Sequence, residues 1–588
     1  MNKLILPSCM LVAVAGLAGD EAVTARTISP ETIFALDPSR LAGSLCGGRR
    51  GDAALKARLR FAAAMTQSET PAPALDTPVP DSIRLAVTSS DPLVRQHVRR
   101  GLLLAFGFNH EAAIAEFQAG QRRDPGCAIC FWGEAYALGP NINAPMTPEA
   151  LPQARAALSR AMALRERASA TERALIEALS GRYAGDDRVG PEAAYADAMH
   201  EAAERFPADD DVALIAAEAA MNTRPWDYWE ADGRTTKPRI GEAIHLVETV
   251  LARSPAHPQA QHLYIHLLEA SAEPARAEAA ADRLASANIA SAGHLVHMPA
   301  HIYYRLGRFA DSIRANVVAA RADETYLATA GPNPAYRFGY YPHNVHFIVS
   351  SAQMAGDMAT ATSEARRLAR ILNPEVSAQI GWLQPVQAAP YMAFAQFAAP
   401  ERLLTLPEAD PRLPYVVAIR HYARAVARAS AQNRVEFDRE LAALRTIREG
   451  GEVQALIDQG VPARDLLMLA EQVARGRWEL AADRLGPAVR AFEAAAEIEA
   501  RIPYMEPPYW YYPVQQSLGG ALFRAGRLEE ARAAFRTALL RSPNNGWALY
   551  GLAETERALG HRPEAAAAEA ALARAWLGDP RWLRMDRL

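Results

Sequence analysis

Seven of the 14 histidines in this 588-residue chain fall between residues 262 and 346. Three of them recur at i, i+3 and i+7 in the stretch SAGHLVHMPAHIYYRL, a spacing that places side chains on one face of a helix. Imidazoles gathered in this way can ligate a transition metal, or they can hydrogen-bond one another or a bound peptide. The seven are His262, His266, His294, His297, His301, His343 and His346.

One carboxylate shares the face of the first histidine pair. Glu269 follows His266 by three residues and His262 by seven. Several imidazoles with one carboxylate suit Zn, Cu, Fe or Ni, whereas Ca²⁺ and Mg²⁺ prefer oxygen ligands. The candidate metal ligands are therefore His262, His266, Glu269, His294, His297, His301, His343 and His346.

The surroundings of these histidines qualify that hypothesis. The spacing H-x3-H occurs twice, but Leu263 and Met298 stand where a zinc protease helix carries Glu, so no protease activity is expected. Pro299 can kink the central helix and turn His294 away from His301. If a metal binds, we expect partners such as Tyr264, Tyr303 or Asn344 to orient the free ring nitrogens.

Other constellations give weaker indications. Cys127 and Cys130 form C-x2-C, which is compatible with a disulfide, structural thiols, a redox pair or part of a metal site. Aromatic segments at residues 226–229 and 508–513 either seal the core or wall a ligand pocket. Motifs of nucleophilic hydrolases, nucleotide-binding and dinucleotide-binding proteins are missing from the sequence. We therefore assign no catalytic residue and no organic cofactor.

Composition narrows the class of protein. With 63 basic and 67 acidic residues the net charge is -4, which lacks the basic excess of nucleic-acid-binding proteins. Lys3 and the apolar run Leu4 to Ala18, followed by small residues, predict a signal peptide cleaved after Ala25, with cleavage after Ala18 as the alternative. We expect a periplasmic or secreted protein without stable membrane insertion.

Repeats organise the remainder of the chain. The motif L-G-x2-Y…G…A-x3-F-x2-A…P is matched near the C-terminus by Leu518, Gly519, Leu522, Gly526, Ala531, Phe535, Ala538 and Pro543, with Leu in the Tyr position. A second copy spans Gly101 to Pro125, and weaker copies surround the histidines. The chain thus resembles the tetratricopeptide-repeat (TPR) proteins of exported bacterial type. This resemblance implies an α-solenoid whose first helices line a concave groove, and it places the histidines at groove-facing positions.

The predicted fold is all-α: a right-handed α-solenoid of tetratricopeptide-like helix pairs with ordered loop insertions at residues 221–238 and 321–341. The predicted organisation is a signal peptide at 1–25, an N-terminal extension at 26–91, helical repeats at 92–225, an aromatic insertion and connecting helix at 226–260, His-rich central repeats at 261–372, further helical repeats at 373–500, and a C-terminal TPR pair with a tail at 501–588.

Two functions of different class follow. The first is a metal-dependent protein that uses Zn, Cu or Fe in the groove, with an enzymatic reaction on a small-molecule substrate as one form of it. The second is a scaffold without enzymatic activity that binds a peptide or a protein partner in the groove, as the resemblance implies.

Overall fold

A computed structural model describes residues 78–588 except 147–148, 186–190, 288, 290–291 and 330–334. The predicted signal peptide and residues 26–77 of the predicted extension lie outside the described residues. The described part is helical and contains no β-strand, only two isolated bridges, Asn141 to Ala144 and Trp229 to Thr236. The all-α prediction is confirmed. None of the described helices is long and apolar enough to span a membrane.

The helices of the N-terminal half lead to the histidine-rich repeats. They are α1 (Pro92–Phe106), α2 (His110–Arg123), α3 (Ala128–Ala137), α4 (Ala150–Leu164), α5 (Ala170–Arg182), α6 (Pro191–Arg205), α7 (Asp210–Asn222), α8 (Ile240–Arg253), α9 (Pro258–Leu268), α10 (Glu278–Ala285), α11 (Gly293–His297), α12 (Pro299–Arg305), α13 (Phe309–Thr329) and α14 (Tyr341–Ala355). Short 3₁₀ helices lie at Arg165–Arg167 and Pro274–Ala277, and a π-helix at Ala335–Tyr340.

The C-terminal half continues the series. It comprises α15 (Met358–Ile371), α16 (Pro374–Gln379), α17 (Leu383–Phe397), α18 (Pro400–Leu404), α19 (Pro414–Ser430), α20 (Arg434–Glu449), α21 (Gln454–Asp458), α22 (Ala463–Ala481), α23 (Leu485–Glu499), α24 (Gln515–Arg524), α25 (Leu528–Arg541), α26 (Gly546–Ala558) and α27 (Arg562–Ala575). Further 3₁₀ turns lie at Gly451–Val453, Pro580–Trp582 and Met585–Arg587.

The same glycine-phenylalanine contact recurs in repeats far apart in the chain. A Cβ added to Gly101 would lie 2.7 Å from the ring of Phe117, and one added to Gly519 would lie 2.7 Å from the ring of Phe535. In both pairs the phenylalanine follows the glycine by 16 residues. Only glycine leaves room for the ring there, so this contact explains why the repeat motif pairs these two residue types.

The described residues form two large apolar cores and two small clusters. The N-terminal core extends from Ile83 to Leu306, and the C-terminal core extends from Ala300 to Leu588. Helix α12 contributes to both, because Ile302 packs in the N-terminal core and Tyr304 in the C-terminal core. The central histidines therefore lie where the two cores meet.

One predicted insertion is irregular and the other is helical. Between α7 and α8 the chain forms turns joined by the bridge from Trp229 to Thr236, as expected for residues 221–238. The prediction of a loop at 321–341 was wrong over its described part, because α13 continues to Thr329 and a π-helix precedes α14. The Ala-rich stretch before Thr329 contains no Gly or Pro that would end a helix.

The C-terminal repeats pack against the central repeat. The indole nitrogen of Trp547 donates to the carbonyl of Gln353 at 2.9 Å, and the backbone N–H of Leu577 donates to the carbonyl of Ala355 at 2.9 Å. These contacts join α26 and the segment after α27 to the end of α14, the helix that carries two of the histidines.

Candidate metal centre

Three helical segments bring the histidines together. Helix α9 carries His262 and His266, α11 with α12 carries His294, His297 and His301, and α14 carries His343 and His346. Apart from His343, which is partly exposed, all of these imidazoles are buried, and His262 and His297 have no exposed surface. Burying so many polar rings requires that their nitrogens find partners.

The helix break predicted at Pro299 is present. Helix α11 ends at His297 and α12 begins at Pro299, whose ring nitrogen cannot donate a backbone hydrogen bond. The structure places His294 in a different group of ligands from His297 and His301. One helical segment thus supplies imidazoles to two neighbouring groups.

The imidazoles form two triads. We call His262, His266 and His294 the first triad, and His297, His301 and His343 the second triad; in each, the ligand nitrogens lie within 4.8 Å of one another. The Nε2 atoms of His262 and His294 are 3.2 Å apart, and those of His297 and His301 are 2.6 Å apart. A shared hydrogen bond or a shared ion can hold two ring nitrogens at such distances.

The other nitrogen of four rings points outward to an oxygen acceptor. The Nδ1 atoms of His266 and His301 donate to the two carboxylate oxygens of Glu269, at 2.8 and 2.5 Å. Nδ1 of His262 donates to Oε1 of Gln259 at 2.9 Å, and Nδ1 of His297 donates to Oδ1 of Asn316 at 2.6 Å.

Both amide acceptors are fixed by their own donors. Nε2 of Gln259 donates to Glu218 at 3.2 Å, and Nδ2 of Asn316 donates to the carbonyl of Ser312 at 2.8 Å. The amide oxygens must then face the imidazoles, so the Nδ1 atoms carry protons and each neutral ring keeps its lone pair on Nε2. This is the tautomer that ligates a metal through Nε2.

The predicted orienting partners were wrong. The hydroxyl of Tyr264 donates to Glu248 at 2.6 Å, that of Tyr303 donates to Asp282 at 2.8 Å, and the amide of Asn344 donates to Asp323 at 2.7 Å. All three side chains have acceptors away from the triads, and their proximity in sequence did not indicate the direction in which they point.

A second carboxylate approaches the site from a distant segment. Glu506, between α23 and α24, is buried and its Oε2 contacts Nδ1 of His301. Glu269, His301 and Glu506 form a third group whose ligand atoms lie within 4.8 Å of one another. Two buried carboxylates beside one imidazole favour its charged form.

The pKa values separate His301 from its neighbours. Burial lowers the pKa of His262, His294 and His297 well below the usual value, and neighbouring histidines lower it further. Burial also opposes the charge on His301, but Glu506 and Glu269 outweigh it and raise its pKa to about 10. Burial, and then Glu269, raise the pKa of Glu506. His301 thus holds a second proton more strongly than His262, His294 and His297 do.

Aromatic rings wall the triads. Phe108 lies 4.9 Å between ring centroids from both His262 and His294, and Trp226 lies 5.0 Å from His266. On the other side, the Phe347 ring lies 5.0 Å from His297, 4.9 Å from His301 and 5.0 Å from His343. An apolar wall lowers the local dielectric and restricts the access of solvent.

His346 is not a member of either triad. Its Nε2 pairs with the hydroxyl of Tyr511 at 2.6 Å, and burial lowers its pKa to about 3. The structure brings six of the seven histidines and Glu269 to the site and directs His346 to the aromatic segment at 508–513.

Cys127 and Cys130 are joined by a disulfide. This pair spans the start of α3, where Sγ of Cys127 also accepts from the backbone N–H of Cys130. Of the alternatives left open by the sequence, the structure has the local disulfide.

Five residues that contact the triads escaped sequence reasoning: Gln259, Asn316, Glu506, Phe108 and Phe347. Gln259 and Asn316 lie on helices near the histidines. These helices contain other polar residues, and the sequence does not show which of them contacts an imidazole. Glu506 lies between Pro503 and Pro507 next to the aromatic segment, and this unusual composition was a usable indication. Phe108 belongs to the first repeat, and only the tertiary fold brings it next to the first triad.

One pair of ring nitrogens in each triad has a separation close to that of two ligands of a transition metal. Ligand nitrogens about 2.0–2.1 Å from a tetrahedral ion lie about 3.3 Å from one another. The 3.2 Å between His262 and His294 agrees with this value, and the 2.6 Å between His297 and His301 requires an opening of under one ångström. In addition, Nδ1 of His294 is buried with no hydrogen-bond partner among the described residues. The donors are imidazoles, which suit Zn, Cu or Fe.

Known proteins resemble this chain mainly through its repeats. The family model described as tetratricopeptide repeat matches residues 522–585, which include α25 to α27. None of the curated proteins matches the sequence.

Several solved structures are similar at low identity. Yeast Tom70 is 10% identical with a TM-score of 0.29, covering 84% of this chain and 95% of that one. A human IFIT1 dimer with m7Gppp-AAAA is 12% identical with a TM-score of 0.31, covering 81% and 95%. The P58(IPK) TPR domain is 13% identical with a TM-score of 0.20, covering 80% and 98%. The family model thus identifies tetratricopeptide repeats at residues 522–585, and the described part of the chain is all-α.

Proposed function

We propose that this protein binds a transition metal, zinc, copper or iron, at the histidine triads. The observation that carries the proposal is the orientation of four rings whose Nδ1–H groups donate outward to Gln259, Glu269 and Asn316. In the neutral rings the Nε2 atoms are left as acceptors facing the interior of the cluster, and an ion bound by His301 would displace its second proton. A purely hydrogen-bonded cluster would alternate donors and acceptors, whereas converging lone pairs favour a cation.

A metal held by three imidazoles keeps a position for water or a substrate, which is the arrangement of catalytic zinc sites. The centre can therefore support an enzyme, although no residue is assigned here as acid, base or nucleophile. The competing function is a scaffold that binds a peptide in the groove. Its weakness is that the site histidines other than His343 are at most 3% exposed, so an extended peptide would not reach them in this conformation.

Elemental analysis of the purified full-length protein tests the proposal. Wild-type protein produced with zinc, copper and iron supplied should retain one of these metals after dialysis. The double variant His297→Ala/His301→Ala should lose metal while its circular dichroism remains helical. The matched control His200→Ala/His421→Ala removes two histidines outside the triads and should keep the wild-type content. Wild-type protein without metal, or a double variant with undiminished metal, would favour the scaffold.

We also propose that the protein is exported to the periplasm. The support is the basic, apolar and small-residue pattern of residues 1–25, together with the Cys127–Cys130 disulfide, because disulfides persist in oxidising compartments. N-terminal sequencing of protein from the periplasmic fraction should begin at Arg26, or at Gly19 if cleavage follows Ala18. An intact Met1 on all of the protein would contradict export by this route.

A further inference from the structure

The cluster contains two sets of three imidazoles rather than one set of six. Among the described residues, no group of ligand atoms within 4.8 Å combines histidines of the first triad with histidines of the second. The rings of the two sets are also in contact, since the ring centroids of His266 and His301 are 6.0 Å apart and those of His294 and His297 are 6.1 Å apart. The division therefore lies in the ligand atoms and not in the spacing of the rings.

The helix geometry explains the division. An α-helix rises 1.5 Å per residue, so the backbones of His294 and His301 are separated by roughly 10 Å along their segment. Side chains on one face at that separation reach two different points along the helix. His294 meets the pair on α9, and His301 meets His297 and the α14 residue His343.

From this arrangement we infer that the cluster is a two-ion centre, with one transition-metal ion in each triad. The inference rests on the metal binding proposed above and adds the number and placement of the ions. Each ion would have three imidazole ligands, and a four-coordinate ion would then keep one position for water or a small anion.

Glu269 links the two triads. One carboxylate oxygen accepts from His266 of the first triad at 2.8 Å, and the other accepts from His301 of the second at 2.5 Å. A single buried side chain therefore orients one ligand of each ion and fixes the relation between them. Its negative charge and that of Glu506 would partly offset the charge of two divalent ions in this buried site.

Glu506 offers a competing arrangement in which one ion lies among Glu269, His301 and Glu506. That ion would have to replace the proton on Nδ1 of His301, which is held by a short hydrogen bond to Glu269. The two-ion centre instead uses Nε2 of His301 and leaves this hydrogen bond in place. Replacement of Glu506 by Gln separates the two arrangements, because it removes a ligand only from the competing one.

The first test is the number of ions per chain in full-length protein loaded with copper(II) during production. Wild-type protein should hold two copper ions. The variants His262→Ala/His294→Ala and His297→Ala/His343→Ala should each hold one, and Glu506→Gln should hold two. Should an alanine variant fail to fold, the single changes His294→Gln and His343→Gln provide the same comparison.

The second measurement is the electron paramagnetic resonance of the same samples. Two copper(II) ions in neighbouring triads should couple magnetically, so the wild-type spectrum should be broadened or lose intensity relative to its copper content. Each one-ion variant should give the sharp spectrum of an isolated ion with full intensity. Two uncoupled copper signals in wild-type protein would place the second ion elsewhere and overturn the inference.

The two proposals fail differently. No metal in wild-type protein overturns metal binding and the two-ion centre together. If wild-type protein holds one ion per chain, and the second-triad variant or Glu506→Gln loses that ion, the result supports metal binding and overturns the two-ion centre.

Discussion

At the scale of single residues, the site depends on which ring nitrogen carries the proton. Asn316 and Gln259 determine the protonated nitrogen of His297 and His262, respectively. The nitrogen of each amide donates to another acceptor, so the amide oxygen must face the imidazole. Removing such an acceptor would leave a buried N–H unpaired and would allow the ring to rotate. The orienting residues are therefore as necessary to the proposed ligand set as the histidines.

Asp323 gives the clearest pH dependence. It is fully buried, its carboxylate accepts from Asn344, and burial raises its pKa to about 8. Between about pH 4 and pH 8 the folded state then holds a proton that the unfolded state releases, so the free energy of unfolding falls as pH rises. Asp323→Asn keeps an oxygen that can accept from Asn344 and removes the ionisation.

We expect Asp323→Asn to be more stable than wild type at pH 8 by several kcal/mol, with an upper bound on the order of 5, and closer to wild type at pH 5. Urea unfolding at the two pH values measures this. Asp438→Asn, at a half-exposed position that pairs with Arg434, is the control and should change stability by under about 0.5 kcal/mol. Equal stabilities of Asp323→Asn and wild type at pH 8 would show that burial does not raise the pKa of Asp323.

At the scale of elements, the segment between α23 and α24 ties the C-terminal repeats to the histidine-bearing helices. Its Glu506 contacts His301 on α12, and its Tyr511 hydroxyl lies 2.6 Å from Nε2 of His346 on α14. The aromatic composition of residues 508–513 also anchors the segment in the core, where the ring centroid of Trp510 lies 5.4 Å from that of Tyr422. The segment therefore both seals the core and walls the site.

Tyr511→Phe should destabilise the protein by about 1–3 kcal/mol, because it removes the partner of a buried imidazole. In a double-mutant cycle, Tyr511→Phe and His346→Phe should be coupled by about 1–2 kcal/mol. Metal content should remain at the wild-type value, since His346 is in neither triad.

Tyr550→Phe is the control for this cycle, because Tyr550 is only partly buried. It should change stability by under about 0.5 kcal/mol. Additive effects of the Tyr511 and His346 substitutions would show that their hydrogen bond contributes nothing to stability.

At the scale of the whole molecule, the contacts between the C-terminal repeats and α14 hold the two cores around the site. They require glycine at the end of α14. Gly356 has φ +75°, and a Cβ added there would lie 2.1 Å from the ring of Trp576. An alanine must therefore adopt a left-handed conformation and also displace an indole.

Gly526 isolates the first of these two costs, since it has φ +74° and an added Cβ would meet nothing within 4 Å. Gly526→Ala should cost about 1–2 kcal/mol for the left-handed backbone alone. Gly356→Ala should cost about 1–3 kcal/mol more, because it also overpacks. Thermal or urea unfolding of both variants measures the difference.

Trp576→Ala combined with Gly356→Ala provides the matching rescue. Removal of the indole should recover part of the extra loss caused by the alanine at 356. If Gly356→Ala costs no more than Gly526→Ala, the contact between the C-terminal repeats and α14 does not constrain the fold.

The sequence by itself determined the helical class, the repeats and most of the candidate ligands. Periods of 3.6 residues, Ala-rich faces and recurring Gly and Phe positions are local properties, and helix formation is also largely local. For the same reason, the spacing of His262 and His266, and that of His297 and His301, was sufficient to place each pair in one group of ligands. It also allowed Glu269 to be recognised beside His266.

Only the tertiary structure decided how these faces meet. Sequence spacing could not show that the histidines divide into two triads, that His346 turns to Tyr511, or that Glu506 approaches His301 from 205 residues away. It also missed the continuation of α13 to Thr329. Such contacts join residues far apart in the chain, and they depend on how the helices pack against one another, which has no local signature in the sequence.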